Sequence, residues 1–133
     1  MPQEVFVDIV LEDIPATASL GGRKYYATLP SGYLWELQEA YFYIDTAKGA
    51  SATNCNIWKL YRDSDDAVMA SASGAGALTQ HNTMVLGTDL TVNAAAAIAR
   101  VYASYETSGA GETISEGARI CARFKARRPG VAA

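Results

Sequence analysis

The chain has 133 residues, 14 acidic and 11 basic, with half of them hydrophobic and 19% charged. These proportions describe one globular domain with one core and exclude a disordered polymer. No apolar run approaches the roughly 18 residues needed to cross a bilayer, and neither a phosphate-binding glycine loop nor a metal-ligand spacing occurs.

Glu4–Leu11 (EVFVDIVL) is rich in strand formers and sets Val5, Val7 and Ile9 on one face, the period of two that a strand requires. Pro15 removes a ladder donor and ends it. Arg23–Leu29 reads as a short strand stopped by the turn Pro30-Ser31-Gly32. Tyr33–Asp45 is the longest strand candidate. One face would carry Tyr33, Trp35, Leu37, Glu39, Tyr41 and Tyr43, and the other Leu34, Glu36, Gln38, Ala40, Phe42 and Ile44. Leu34, Leu37 and Tyr41 also suit helical spacing, but the aromatic and β-branched residues of Tyr41–Ile44 favour a strand. Thr46–Asn54 reads as a loop. Asn56–Arg62 alternates, Asp63-Ser64-Asp65-Asp66 is an acidic turn, and Ala67–Ser71 returns as the second arm of a hairpin.

Ser71–Leu78 (SASGAGAL) offers so little side chain that it is expected to stay out of the core. Thr83–Leu86 and Leu90–Val92 are short strands across Gly87-Thr88-Asp89. Asn93–Tyr105 reads two ways. Four alanines after an asparagine cap suit a helix with Ile98, Val101, Tyr102 and Tyr105 on one stripe. Ile98–Tyr105 also alternates as a strand, and a tight turn at Asn93–Ala96 followed by a strand is the favoured reading. Ala118–Ala126 is a closing strand with Ala118, Ile120, Ala122 and Phe124 inward. Roughly eight or nine short strands predict an all-β, antiparallel, jelly-roll-like sandwich with short loops and little helix, one domain over residues 1–133.

Little in the chain points to a reaction. Asp63, Asp65 and Asp66 offer oxygens to calcium, but the spacing is far from an EF-hand loop and a solvated turn is expected. Glu36 and Glu39 would make a glycosidase pair only if they met, and positions three apart on a regular strand face opposite sides. Met1–Leu11 lacks the basic region and apolar stretch of a secretory signal, so Cys55 and Cys121 are expected as reduced thiols. His81 is the only histidine. No catalytic residue, metal site or cofactor is expected.

Charge and aromatic content direct attention to surfaces. Residues 1–66 hold ten acidic and five basic groups, whereas residues 67–133 hold four and six. Arg119, Arg123, Lys125, Arg127 and Arg128 fall within one stretch without an acidic residue. They would suit phosphates, but the whole chain is acidic and no base-stacking series accompanies them, so a solvated strand face or a protein contact is expected. Eight tyrosines against three phenylalanines point to rings that reach partly wet surface. Tyr25, Tyr26, Tyr33 and Trp35 are candidates for a protein interface, and the same four with Tyr41, Tyr43, Trp58, Tyr61, Tyr102 and Tyr105 could instead form a sugar-stacking platform.

The opening PQEVFVDIVLEDIP, the Pro30-Ser31-Gly32 turn into a long aromatic strand, the loop Ser71–Leu78 and the closing ARICARFKARRPG share a texture. Over most of its length the chain resembles the small capsid decoration (cement) proteins of tailed bacteriophages. The resemblance implies a non-enzymatic virion protein, made in the host cytoplasm and seated on the capsid exterior. It implies a homotrimer, or a monomer placed around symmetry axes, that clamps neighbouring major capsid proteins without nucleic acid, membrane or cofactor. A carbohydrate- or receptor-binding β-sandwich of a phage head or tail fibre would share this composition and is the alternative.

Overall fold

The structure is a computed structural model that describes residues 4–10, 24–44, 55–73, 76–108 and 118–127. Among these residues ten strands follow in chain order: β1 (Glu4–Val10), β2 (Tyr25–Leu29), β3 (Tyr33–Tyr43), β4 (Cys55–Arg62), β5 (Ala67–Ser73), β6 (His81–Thr83), β7 (Val85–Leu86), β8 (Thr91–Ala94), β9 (Ala99–Ser108) and β10 (Arg119–Arg127). They form two five-stranded antiparallel sheets. One runs β1-β10-β3-β6, with β8 sharing the β3 edge beside β6, and the other runs β2-β9-β4-β5-β7.

Leaving aside the short β7 and β8, the first sheet orders the strands first, last, third, sixth. The second orders them second, penultimate, fourth, fifth. This is the double Greek key of a jelly roll. The chain crosses between sheets at nearly every connection, so both inner faces draw on its whole length.

Alternation in β1 and β10 is the expected one: Val7 and Ile9 are buried, as are Ile120, Ala122, Phe124 and Ala126. β3 departs from it. The β10–β3 register shifts between Arg123 and Phe124, which face Glu39 and Leu37, so Gln38 is an extra residue in the strand. Such a bulge reverses the phase beyond it. Trp35 and Leu37 point inward before it, and Ala40, Phe42 and Ile44 after it. The single-phase assignment of β3 faces is therefore wrong beyond Gln38, and Glu39, Tyr41 and Tyr43 lie opposite to Trp35. The near-helical spacing of Leu34, Leu37 and Tyr41 marks no shared face: Leu37 points inward, whereas Leu34 and Tyr41 stand on the outward phase on either side of the bulge.

The core is built on Trp35, Trp58, Phe42, Phe124, Tyr105 and Leu60, all almost wholly buried. Phe42 stacks on Trp58 across the two sheets at 4.4 Å between ring centroids, a contact worth about 0.5–1.5 kcal/mol beyond the area it buries. Trp35 Nε1 donates to the Pro30 carbonyl at 2.9 Å, which ties the turn before β3 to the core. Gly32 completes that turn with φ of 96°. The segment Ser71–Leu78 corrects expectation, because Ala72 and Leu78 both join the core. Ala72 pairs with Trp58, and a small residue is what fits opposite an indole. Asn93–Tyr105 resolves as β8, a bend at 95–97, and β9.

Candidate functional site: two outer sheet faces

The side chains that point away from the core form two distinct surfaces. The first covers β1, β10, β3 and β6 and is organised in cross-strand rows. One row reads Val10, Arg119, Tyr43, His81; the next Asp8, Cys121, Tyr41, Thr83; the next Phe6, Arg123, Glu39; and the last Glu4, Lys125, Glu36. Basic residues occupy β10, and acidic residues flank it on β1 and β3.

Unlike groups meet within these rows. Arg123 Nε donates to Glu39 Oε1 at 2.9 Å and its Nη1 approaches Glu4 Oε2 at 3.3 Å. Tyr41 Oη donates to Glu39 Oε2 at 2.7 Å. The Tyr41 hydroxyl and Arg123 hold the Glu39 carboxyl below its ordinary range, and the carboxylate in turn raises the Tyr41 phenol. The Tyr43 and His81 rings stack at 4.8 Å, nearly parallel, and the Arg119 guanidinium lies 5.5 Å from the Tyr43 centroid. Since Arg119 and His81 come from the strands on either side of β3, Tyr43 is enclosed between them. Phe6 (74% exposed) and Val10 (63%) leave β1 as an apolar border. Small Cys121 between larger neighbours leaves a depression of about 340 Å³, walled by Phe6, Asp8, Tyr41 and Arg123.

The second surface covers β2, β9, β4 and β5. Its central row is Tyr26, Tyr102, Tyr61, Val68. Tyr61 stacks on Tyr102 at 4.8 Å and 11°, and Tyr26 tilts against Tyr102 at 5.5 Å. Lys24 Nζ sits 4.8 Å from the Tyr102 centroid, and the Arg100 guanidinium sits 4.3 Å from that of Tyr26. Tyr102 is covered by this ladder, while Tyr26 (46% exposed) and Val68 (41%) remain open at its two ends.

The acidic turn between β4 and β5 is a hairpin, as expected, but its carboxylates do not converge. Asp63 pairs with Arg100 at 2.9 Å, Asp65 with Arg62 at 2.7 Å, and Asp66 accepts from Tyr102 Oη at 2.8 Å. Glu36 and Glu39, assigned to opposite faces from the sequence, share the outer face because of the Gln38 bulge. Each is engaged separately, Glu39 by Tyr41 and Arg123, and Glu36 by Gln38 Nε2 at 3.1 Å. Among the described residues no group of three or more His, Cys, Asp or Glu could hold a metal ion. Among the described residues no helix is long and apolar enough to cross a membrane.

The candidate residues do not gather into one patch. Tyr26 lies on the tyrosine face, while Tyr25 and Tyr33 are half-buried against the core. Trp35 is in the core, 1% exposed. Arg119, Arg123 and Lys125 stand on the charged face. Arg127 ends β10, and Arg128 lies outside the described residues. Sequence reasoning did not single out Phe6 or His81 as surface residues, and it took Tyr43, Tyr61 and Tyr102 only as members of a broad aromatic set, without the neighbours they have here. Phe6 could have been found, since it alternates out of phase with Val5 and Val7. The ladder needs the β2–β9–β4 pairing, which no local pattern carries.

No family model, curated protein or solved structure matches this chain.

Proposed function

We propose that this chain is a structural virion protein that binds the outer surface of an assembled phage capsid and stabilises it by bridging neighbouring major capsid proteins. The tyrosine face carries the reading. Its row of Tyr26, Tyr102 and Tyr61, with Arg100 over Tyr26, is built from the tyrosine and arginine that protein interfaces favour, and Val68 adds exposed apolar surface at its end. The fold agrees without deciding, because jelly rolls host capsid and lectin domains alike. A ligand that binds only the assembled lattice stabilises it by mass action, and many copies on a repeating surface raise the effect without tight single contacts.

The ring geometry favours a protein partner over the alternative glycan. A sugar stacks on an open ring face. Here Tyr102 is flanked by Tyr26 and Tyr61, and Tyr43 by Arg119 and His81. Tyr102 is covered and its hydroxyl already donates to Asp66, so a partner would meet the open ends of the row, Tyr26 and Val68.

The test is co-sedimentation with empty expanded particles assembled from the major capsid protein of the same genome. Wild-type protein is expected to pellet with particles to saturation, and Tyr26→Ala with Val68→Asp to remain largely in the supernatant. Wild-type protein that stays in the supernatant, or binding to a panel of bacterial surface glycans that particles do not compete for, would overturn the reading.

A further inference from the structure

We infer that the charged face is where two copies of this chain meet, paired about a two-fold axis that runs parallel to the strands between β10 and β3. The argument stands apart from capsid binding, which uses the opposite face.

A two-fold axis along the strand direction keeps each row at its own height and exchanges the columns on either side of it. Placed between β10 and β3, it lays β10 of one copy over β3 of the other, and β1 over β6. Each residue then meets the residue it already opposes within its own sheet. Arg123 faces Glu39 of the second copy, Lys125 faces Glu36, and Arg119 faces Tyr43, because those are the rows of the register. Complementarity within the sheet becomes complementarity between copies, and the contact is isologous, each interaction occurring twice.

Other strand-parallel axes fail. An axis over β10 sets Arg119 and Arg123 against themselves, and one over β3 does the same to Glu39. An axis between β1 and β10 leaves β3 and β6 uncovered. The chosen axis also solves a packing problem. It carries Tyr41 over Cys121 of the second copy, the smallest side chain in its row, so a large ring enters the depression of about 340 Å³ above Cys121. Val10, 63% exposed, is carried over the His81 ring. The face contains apolar rim, ring edges and unlike charges in the pattern that a copy of itself completes. This favours a pair in place of the trimer that the resemblance implies.

The experiment is a charge exchange read by sedimentation equilibrium of the full chain, with far-UV circular dichroism confirming the fold. Wild type is expected to be a reversible dimer that tightens at low salt. Arg123→Glu alone sets a new carboxylate against Glu39 of the second copy, and Glu39→Arg alone sets a new guanidinium against Arg123. Each is expected to weaken the dimer about tenfold or more. Mixed in equal amounts, the two variants are expected to form a heterodimer of near wild-type affinity, since both contacts are again unlike. Cys121→Tyr, which fills the depression, is expected to give monomer. If the Arg123 variant does not fold, Lys125→Glu with Glu36→Lys provides the same exchange one row along. A monomer at all concentrations, a trimer, or a dimer that ignores the single variants would overturn the inference. So would a mixture that fails to restore pairing.

Discussion

The Arg62 guanidinium grips Asp65 with two parallel hydrogen bonds, Nε to Oδ1 at 2.9 Å and Nη2 to Oδ2 at 2.7 Å. Its remaining nitrogen, Nη1, donates to the Thr91 carbonyl at 2.7 Å and pairs with Asp89 at 3.1 Å. One side chain thus joins the β4–β5 hairpin of one sheet to the start of β8 in the other. The grip holds the Asp65 carboxyl at about 2, below its ordinary 3.8. A depressed folded-state pKa gives stability that is fully present above about pH 4 and is lost as pH falls toward about 2. Arg62→Met is expected to lower Tm by roughly 5 °C at neutral pH and to flatten the acid limb of a pH–Tm curve. An unchanged acid limb would refute the role given to this pair.

Gly87 is where a β-bulge in β5 touches the β7 turn. The β4–β5 register slips between Leu60 and Tyr61, which face Ala70 and Val68, so Met69 is the extra residue. Gly87 N donates to the Met69 carbonyl at 2.8 Å, and a Cβ on Gly87 would lie 2.7 Å from the Val68 carbonyl oxygen. Because that obstacle is backbone, Gly87→Ala is expected to cost about 1–3 kcal/mol. A Cβ at Gly76 meets nothing within 4 Å, so Gly76→Ala should be near neutral. Urea denaturation midpoints compare the two directly, with equal m-values expected.

Asp66 combines strain with a contact. It is the one non-glycine residue with positive φ, 58°, among those described, and it accepts the Tyr102 hydroxyl. Burial first, and then this bond, push the Tyr102 phenol well above its ordinary 10.0. A raised folded-state pKa means that stability is intact below about pH 10 and falls as the pH climbs beyond it. Asp66→Asn, which tolerates the left-handed backbone and keeps an acceptor, should be the mildest change. Asp66→Gly relieves the backbone but loses the bond, and Asp66→Ala suffers both losses. Thermal melts that rank alanine best would refute the account.

Cys121 should be a slow thiol despite standing on an outer face. Burial pushes its pKa up, and its Sγ donates toward Asp8 Oδ1 at 3.4 Å, which stabilises the protonated form. Alkylation by iodoacetamide at pH 8 is expected to run about tenfold slower than for a free cysteine, and Asp8→Asn to speed it. A rate equal to that of the free thiol would show that neither effect operates. Dimerisation would slow it further at high protein concentration.

Much of the fold is legible because β1 and β10 are regular, with alternation that reads directly as inside and outside. β3 is not, because one inserted residue at Gln38 inverts half a strand, and no local signal distinguishes that from a helical stripe. Ala72 and Leu78 hid in a low-complexity stretch because membership of the core depends on what lies opposite, here Trp58. The surfaces were less legible still. Tyr26 and Trp35 look equally suited to an interface until pairing sends one outward and the other into the core. Tyr102 and Tyr61, far apart in sequence, become neighbours only when β9 lies against β4.

The pairing of β1 with β10 sets a condition on how the chain acquires its structure. Glu4 opposes Lys125, so the first strand finds its register only against the last. β3 depends on that same last strand for its other edge. During synthesis β1 has no partner in its own sheet until β10 is made, whereas β3 can already pair with β6 and β8. Closing so long a loop is entropically slow, as expected of a topology dominated by distant contacts. Until then Phe6, Val7 and Ile9 are exposed on an unpaired edge, where Glu4 and Asp8 serve as charges that discourage association with other nascent chains.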